Sequence, residues 1–217
     1  MIITSYARTG STKFGLDLAE KHNLRFMGEI TGSHLRSTGT KSHKHEIHET
    51  KFQPMLSDQE YYNAIYNNKD LVILVNRGGY LLLDKADYVV LRNDPLGCCL
   101  SFADLVMRPT SGRDSLHWRS VLFYTRLMFD DMLSLVTCAV EYPTDLPIVW
   151  FEDLYPNHEQ NLKYITHESI YEIAKGFFTE FIEASDVQHK LDILKNKDII
   201  QPEHPGKDFA KYWSFAY

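Results

Sequence analysis

Five short runs of mostly consecutive apolar residues constrain this chain more than any other feature. They fall at Ile2–Ser5, 24–27, Leu71–Val75, 88–92 and 148–151. A strand with one face in water alternates apolar and polar side chains, whereas a run that is apolar at successive positions needs cover on both faces. Between these runs the apolar residues recur with a helical period, at 11–22, 58–67, 95–107, 116–140 and 167–184. Strands alternating with helices predict an α/β fold of three layers, a central parallel sheet of about five strands flanked by helices. Ligands of such sheets sit beyond the carboxyl ends of the strands. The residues that follow each apolar run are therefore the place to look for function, and Arg8, Arg92 and Glu152 all stand there.

The chain has 217 residues, enough for a single domain over 1–217 with a substantial core, and its 44% hydrophobic content fits one. A net charge of -6 counts against broad, non-specific nucleic-acid binding, so no nucleic-acid partner is expected. No apolar stretch is long enough to cross a bilayer, and no basic segment followed by an apolar core opens the chain. Neither a membrane partner nor a secretion signal is expected. Cys98 and Cys99 are adjacent in an apolar helical pattern and, with Cys138, read as small core residues, which suits a reducing cytoplasm. Residues 31–54 are polar, rich in Gly, Ser, Thr and His, and without a period; they are read as a mobile substrate loop or lid. From about 196 the chain is again irregular and ends in Phe209, Tyr212, Trp213, Phe215 and Tyr217. Packing of this tail onto the body is the simpler reading, and a homodimer surface is the alternative.

The loop after the first run, Ser5-Tyr6-Ala7-Arg8-Thr9-Gly10-Ser11-Thr12, leads straight into a helix. Backbone N–H groups at a helix start point outward and the helix dipole favours negative charge. Gly10 lets the chain curl close to an anion, Ser11 and Thr12 add hydroxyl donors, and Arg8 adds a permanent forked cation. The two glycines and following Lys-Ser or Lys-Thr of a nucleoside triphosphatase loop are absent. A plain turn and helix cap is the competing explanation. A second segment, Arg92-Asn93-Asp94-Pro95, ends a buried run and opens another helix that carries Ser101. Asp94 suits the cap and Pro95 the first turn. Arg92 and Ser101 are expected to converge on one anion, unless Arg92 is simply paired with Asp94 or Asp104.

Taken together these segments resemble the PAPS-dependent sulfotransferase superfamily, whose donor is 3′-phosphoadenosine 5′-phosphosulfate. The resemblance is closest to its bacterial and viral branches, including the trehalose-sulfating type. Tyr6-Ala7-Arg8-Thr9-Gly10-Ser11-Thr12 is similar to the family's first loop, which implies that Arg8, Thr9, Gly10, Ser11 and Thr12 bind the 5′-phosphosulfate. Arg92 with Ser101 is similar to the family's 3′-phosphate segment, and Trp150-Phe151-Glu152-Asp153-Leu154 resembles its strand-end Tyr-Glu-Asp-Leu. The resemblance implies a P-loop-like sulfotransferase fold and transfer of a sulfuryl group from PAPS to a hydroxyl of a carbohydrate or small metabolite, with no metal required. His204-Pro205-Gly206-Lys207 is only a faint counterpart of the glycine-rich nucleotide loop of animal members.

Sulfuryl transfer is an in-line displacement, so positioning and charge stabilisation carry most of the catalysis. Arg8 is placed to stabilise charge on the leaving nucleotide, while Lys13 suits an exposed helix surface. Glu29, after the second run, is the first choice of general base, since members resembling the trehalose-sulfating branch carry a Glu near this place. His34, just beyond it, is the competitor. His43, His45 and His48 match no standard zinc spacing and are read as solvated loop residues, and His117 as a packed or surface residue. Two rivals remain open: a nucleotide-dependent phosphotransferase, which needs a divalent metal, and a nucleotide-binding protein of the same fold without catalysis.

Overall fold

The structure is a computed structural model and describes residues 1–30, 71–76, 79–107, 118–142, 146–158, 162–165 and 168–196. The predicted loop at 31–54 with His34 and the other loop histidines, the helix at 58–67, His117 and the tail from 197 lie outside the described residues.

The apolar runs form β1 (Ile2–Ser5), β2 (Arg25–Ile30), β3 (Leu71–Val75), β4 (Tyr88–Leu91) and β5 (Ile148–Trp150). They make one five-stranded sheet in the order β2-β3-β1-β4-β5, and every neighbouring pair is parallel. Ile3 stands level with Leu74 on one side and Tyr88 on the other, so the first strand is the middle of the sheet. The described helices are α1 (Ser11–Lys21), α2 (Pro95–Val106), α3 (Trp118–Glu141), the short α4 (Phe151–Leu154), α5 (Glu168–Ala184) and α6 (Val187–Asn196). A 3-10 segment, Gly79–Lys85, precedes β4.

The unbroken apolar character of the strands has the expected cause. Ile3, Val72, Leu74, Tyr88, Val90 and Val149 pack with Phe14, Leu18 and Ala19 of α1. The alternate residues Val89, Leu91 and Trp150 join a larger cluster built from α2, α3, α5 and α6. Successive strand residues thus serve opposite faces, and each face is covered. Gly15 lets α1 lie close on β2, because a β-carbon there would stand 2.4 Å from Phe26 Cε2.

Sequence and structure differ in several places. The strand expected at 24–27 runs on to Ile30, with a register shift between Phe26 and Glu29. Three residue steps of β2 there span two steps of β3, Val72 to Leu74, so one extra residue is accommodated as a bulge. The four-residue run expected at 148–151 gives way at Phe151 to α4, and α6 was not anticipated. The length of α4, four residues, gives too little period to read in a sequence.

Asp104, buried on α2, holds the chain that leads to α5. Its Oδ1 accepts the backbone N–H groups of Lys163 (2.9 Å), Tyr164 (2.6 Å) and Ile165 (2.8 Å). Replacing Asp104 by Ala leaves these donors without their acceptor, and we expect a loss of about 2–4 kcal/mol in denaturant unfolding. Ala at the exposed Asp84 is the control, with a change within about 0.5 kcal/mol.

Candidate functional site

Three strand ends meet at the middle of the sheet. The chain leaves β1 toward β2 on one side and later crosses to β4 on the other, so the carboxyl end of β1 beside β4 is the topological switch point. The loop of residues 6–10 emerges there, next to Asn76 after β3 and Arg92 after β4.

Tyr6 locks the first two loops together. Its ring is fully buried, and its hydroxyl donates to the Arg92 carbonyl (2.6 Å) while accepting the Arg92 N–H (2.9 Å). Burial, with help from neighbouring Cys98 and Glu152, pushes the phenol well above its ordinary range, so it stays a neutral donor. Thr9, also buried, donates its hydroxyl to the Tyr6 carbonyl at 3.2 Å and closes the turn. Arg8 and Gly10 both take left-handed backbone, φ 71° and 72°. For Gly10 this conformation costs nothing; for Arg8 it is strain of about 1–2 kcal/mol held by the surrounding contacts.

Gly10 caps α1 without any side-chain hydrogen bond. The first helical bond is from the Phe14 N–H to the Gly10 carbonyl at 3.1 Å, so the N–H groups of residues 11–13 precede the ladder. Beneath them lies a buried polar cluster. Ser5 Oγ donates to Asn76 Oδ1 (2.5 Å) and shares a hydrogen bond with Ser11 Oγ (2.9 Å). Ser11 is thereby tied to the strands, whereas Thr12 is half-buried on the next step of the helix. Phe151 and Tyr155 press on the turn from the other side, since a β-carbon on Gly10 would lie 2.7 Å from Tyr155 Cε2 and 2.8 Å from Phe151 Cδ2.

Arg92 is 6% exposed and lies over the Phe151 ring, 4.7 Å from its centroid. Its terminal nitrogen pairs with the half-exposed Asp94 at 3.0 Å, and Asp94 also caps α2 by accepting the Gly97 N–H at 2.8 Å. Asp104 is engaged with residues 163–165, so of the two sequence candidates it is Asp94 that pairs with Arg92. Arg92 Nε and Glu152 Oε2 are both buried and, among the described residues, have no hydrogen-bond partner. The other Glu152 oxygen accepts the Asn93 N–H at 3.0 Å. Ser101 was expected beside Arg92, but its hydroxyl accepts from Arg8 Nε at 2.8 Å. The two arginines therefore belong to one surface, with Arg8 exposed and bridged to α2 and Arg92 sunk at its edge.

Other expected residues stand elsewhere. Glu29 lies inside β2, not after it, and the bulge sets its backbone level with Leu74 and hence with Ile3, a strand further out than β3. That is below the carboxyl end of β1, where the loop of Arg8 begins. His34 lies outside the described residues. Lys13 is exposed, as expected for a helix surface, and sits over the Tyr155 ring at 4.7 Å. Cys98 and Cys99 are core residues; burial raises both thiols, Cys99 to about 12. No group of His, Cys, Asp and Glu suited to a metal occurs among the described residues.

Sequence reasoning missed Asn76, Tyr155 and His158. Asn76 directly follows a strand, which was the available signal. His158 is revealed by contacts alone: its ring meets Phe151 edge-on at 4.9 Å, and its pKa is lowered by partial burial and by the Arg92 and Arg8 guanidiniums.

The Tyr6 clamp is testable by Tyr6→Phe, which removes only the hydroxyl and strands the Arg92 N–H and carbonyl. We expect a loss of about 1–3 kcal/mol with an unchanged denaturant slope. Tyr124→Phe, at an exposed ring, is the control with a change within about 0.5 kcal/mol.

Compared with known proteins, the chain matches no protein-family model, and neither curated proteins nor solved structures give a significant match.

Proposed function

We propose that the chain is a PAPS-dependent sulfotransferase with a P-loop-like fold, acting on a hydroxyl of a carbohydrate or small metabolite. The observation that carries this reading is the convergence of two cationic anion-binding features from different strands at the switch point. One is the start of α1, which has no side-chain cap, with Arg8; the other is Arg92, buried with Nε unpartnered among the described residues. A buried guanidinium edge without an acceptor is costly, and an incoming phosphate oxygen removes that cost. Separated cations suit a nucleotide phosphorylated at both ends of its ribose, and the order of the three sequence motifs agrees with the resemblance.

When bound, PAPS supplies an activated sulfuryl group on a bisphosphate leaving group. The chain's residues then have distinct tasks. The N–H groups of residues 11–13, Thr12 and Arg8 hold the 5′ end and oppose the charge that grows there as the bond to sulfur breaks. Ser101 holds the Arg8 side chain in place. Arg92, backed by Phe151 and Asp94, holds the 3′ phosphate. Glu29 is the proposed base that takes the acceptor's proton, and its position in β2 requires the acceptor to reach across β3 toward it.

Binding of 3′-phosphoadenosine 5′-phosphate tests the reading. It should raise the melting temperature without magnesium, and AMP should do so much less; equal stabilisation by the two removes the case for a 3′ site. Arg92→Ala should weaken its binding by about 2 kcal/mol, roughly thirtyfold, in calorimetry. Magnesium-dependent transfer from ATP would favour the phosphotransferase instead.

Glu29→Gln should keep nucleotide binding and lower turnover by about two to four powers of ten. Near-normal turnover of that variant beside an inactive His34→Ala enzyme would move the base to His34.

A further inference from the structure

His158 is a titratable side chain at this site to which neither the resemblance nor the proposed mechanism gives a task. It follows α4 on a turn closed by its own N–H, which donates to the Tyr155 carbonyl at 3.0 Å. Its ring stands edge-on to Phe151, and the other neighbours of Phe151 are the Arg92 guanidinium and the Gly10 turn. Phe151 is thus a shared wall with an exposed imidazole on one side and both anion-binding features on the others.

We infer that His158 is a further phosphate-binding residue of this site, taking up one proton from solvent when a phosphate group settles beside Arg8 and Arg92. The inference rests on the anionic-nucleotide reading above and adds a pH dependence to it. The charged groups acting on the imidazole are Arg92, from the end of β4, and Arg8, from the loop after β1. Asp94 neutralises part of Arg92, and Lys13 lies on the far ring, Tyr155, of the same wall.

The sign follows from these charges. In the free protein, partial burial and the two arginines lower the imidazole pKa, so His158 is neutral near pH 7. A bound phosphate offsets the arginines and adds negative charge of its own, so the pKa must rise on binding. By linkage the protonated site then binds more tightly, and the His158 contribution to affinity should grow as pH falls from 8 toward 6.5; protonation of the phosphate itself, with a second pKa of about 6, acts equally on the His158→Gln variant and is removed by comparison with it.

The test is an NMR pH titration of the histidine ring signals of the full chain, alone and saturated with 3′-phosphoadenosine 5′-phosphate or with inorganic pyrophosphate. His158→Gln assigns the signal by its loss. His22, at the far end of α1, is an internal control whose pKa should not move. We expect the His158 pKa to rise by about one unit on binding, and the resulting gain in affinity between pH 8 and pH 6.5, about threefold, to be absent in His158→Gln. Binding with an unmoved His158 pKa overturns the inference and leaves the nucleotide reading intact. A shift with pyrophosphate but no binding of the nucleotide supports His158 and overturns the nucleotide reading. Binding of neither probe overturns both.

Discussion

The Tyr6 hydroxyl is the contact on which the arrangement of the strand ends depends. It satisfies both the N–H and the carbonyl of Arg92, across 86 positions of sequence, inside a region closed to water. Backbone groups at the end of a buried strand lose their ladder partners and must find others. Here one side chain from the adjacent strand end supplies both. Arg8 and Arg92 are consequently presented from a common base, and the left-handed strain at Arg8 is held by a turn whose ends are anchored.

Positive charge is concentrated at this place in a chain that is acidic as a whole. Three features partly compensate the buried Arg92: Asp94 on one edge, the Phe151 face beneath it, and Glu152 of α4, bonded to the neighbouring Asn93 N–H. None of these occupies its Nε. Glu152 is itself drawn to the Asn93 N–H and leaves one oxygen buried. Leaving such groups unmatched is unfavourable for stability, which is the usual sign that a site is arranged for a ligand and not for the folded chain alone.

Much of the scaffold was legible in local pattern. The β1 and β3 runs coincide with the observed strands, and β4 ends one residue short of its expected bound because Arg92 leaves the ladder for the Tyr6 hydroxyl. Asp94 and Pro95 announced the start of α2 and the cap is made as their chemistry requires. The site was less legible. Ser101 lies nearly two turns along α2, and its nearness in sequence pointed to Arg92; only the fold brings Arg8 to it. Glu29 follows the apolar run at 24–27 in the sequence; the chain instead absorbs one residue as a bulge and continues as a strand to Ile30.

The sequence by itself determined the alternation of buried strands with amphipathic helices, the all-parallel sheet that this alternation implies, and the chemical character of each strand end. These are consequences of periods of two and 3.6 residues and of capping groups, all expressed within a few positions. The tertiary structure decided the order of the strands, the bulge before Glu29, the pairing of Arg8 with Ser101 and the approach of His158 to both arginines. Each of these depends on which elements pack side by side, and that choice is settled by burying two apolar faces of one sheet at once. No local period carries it.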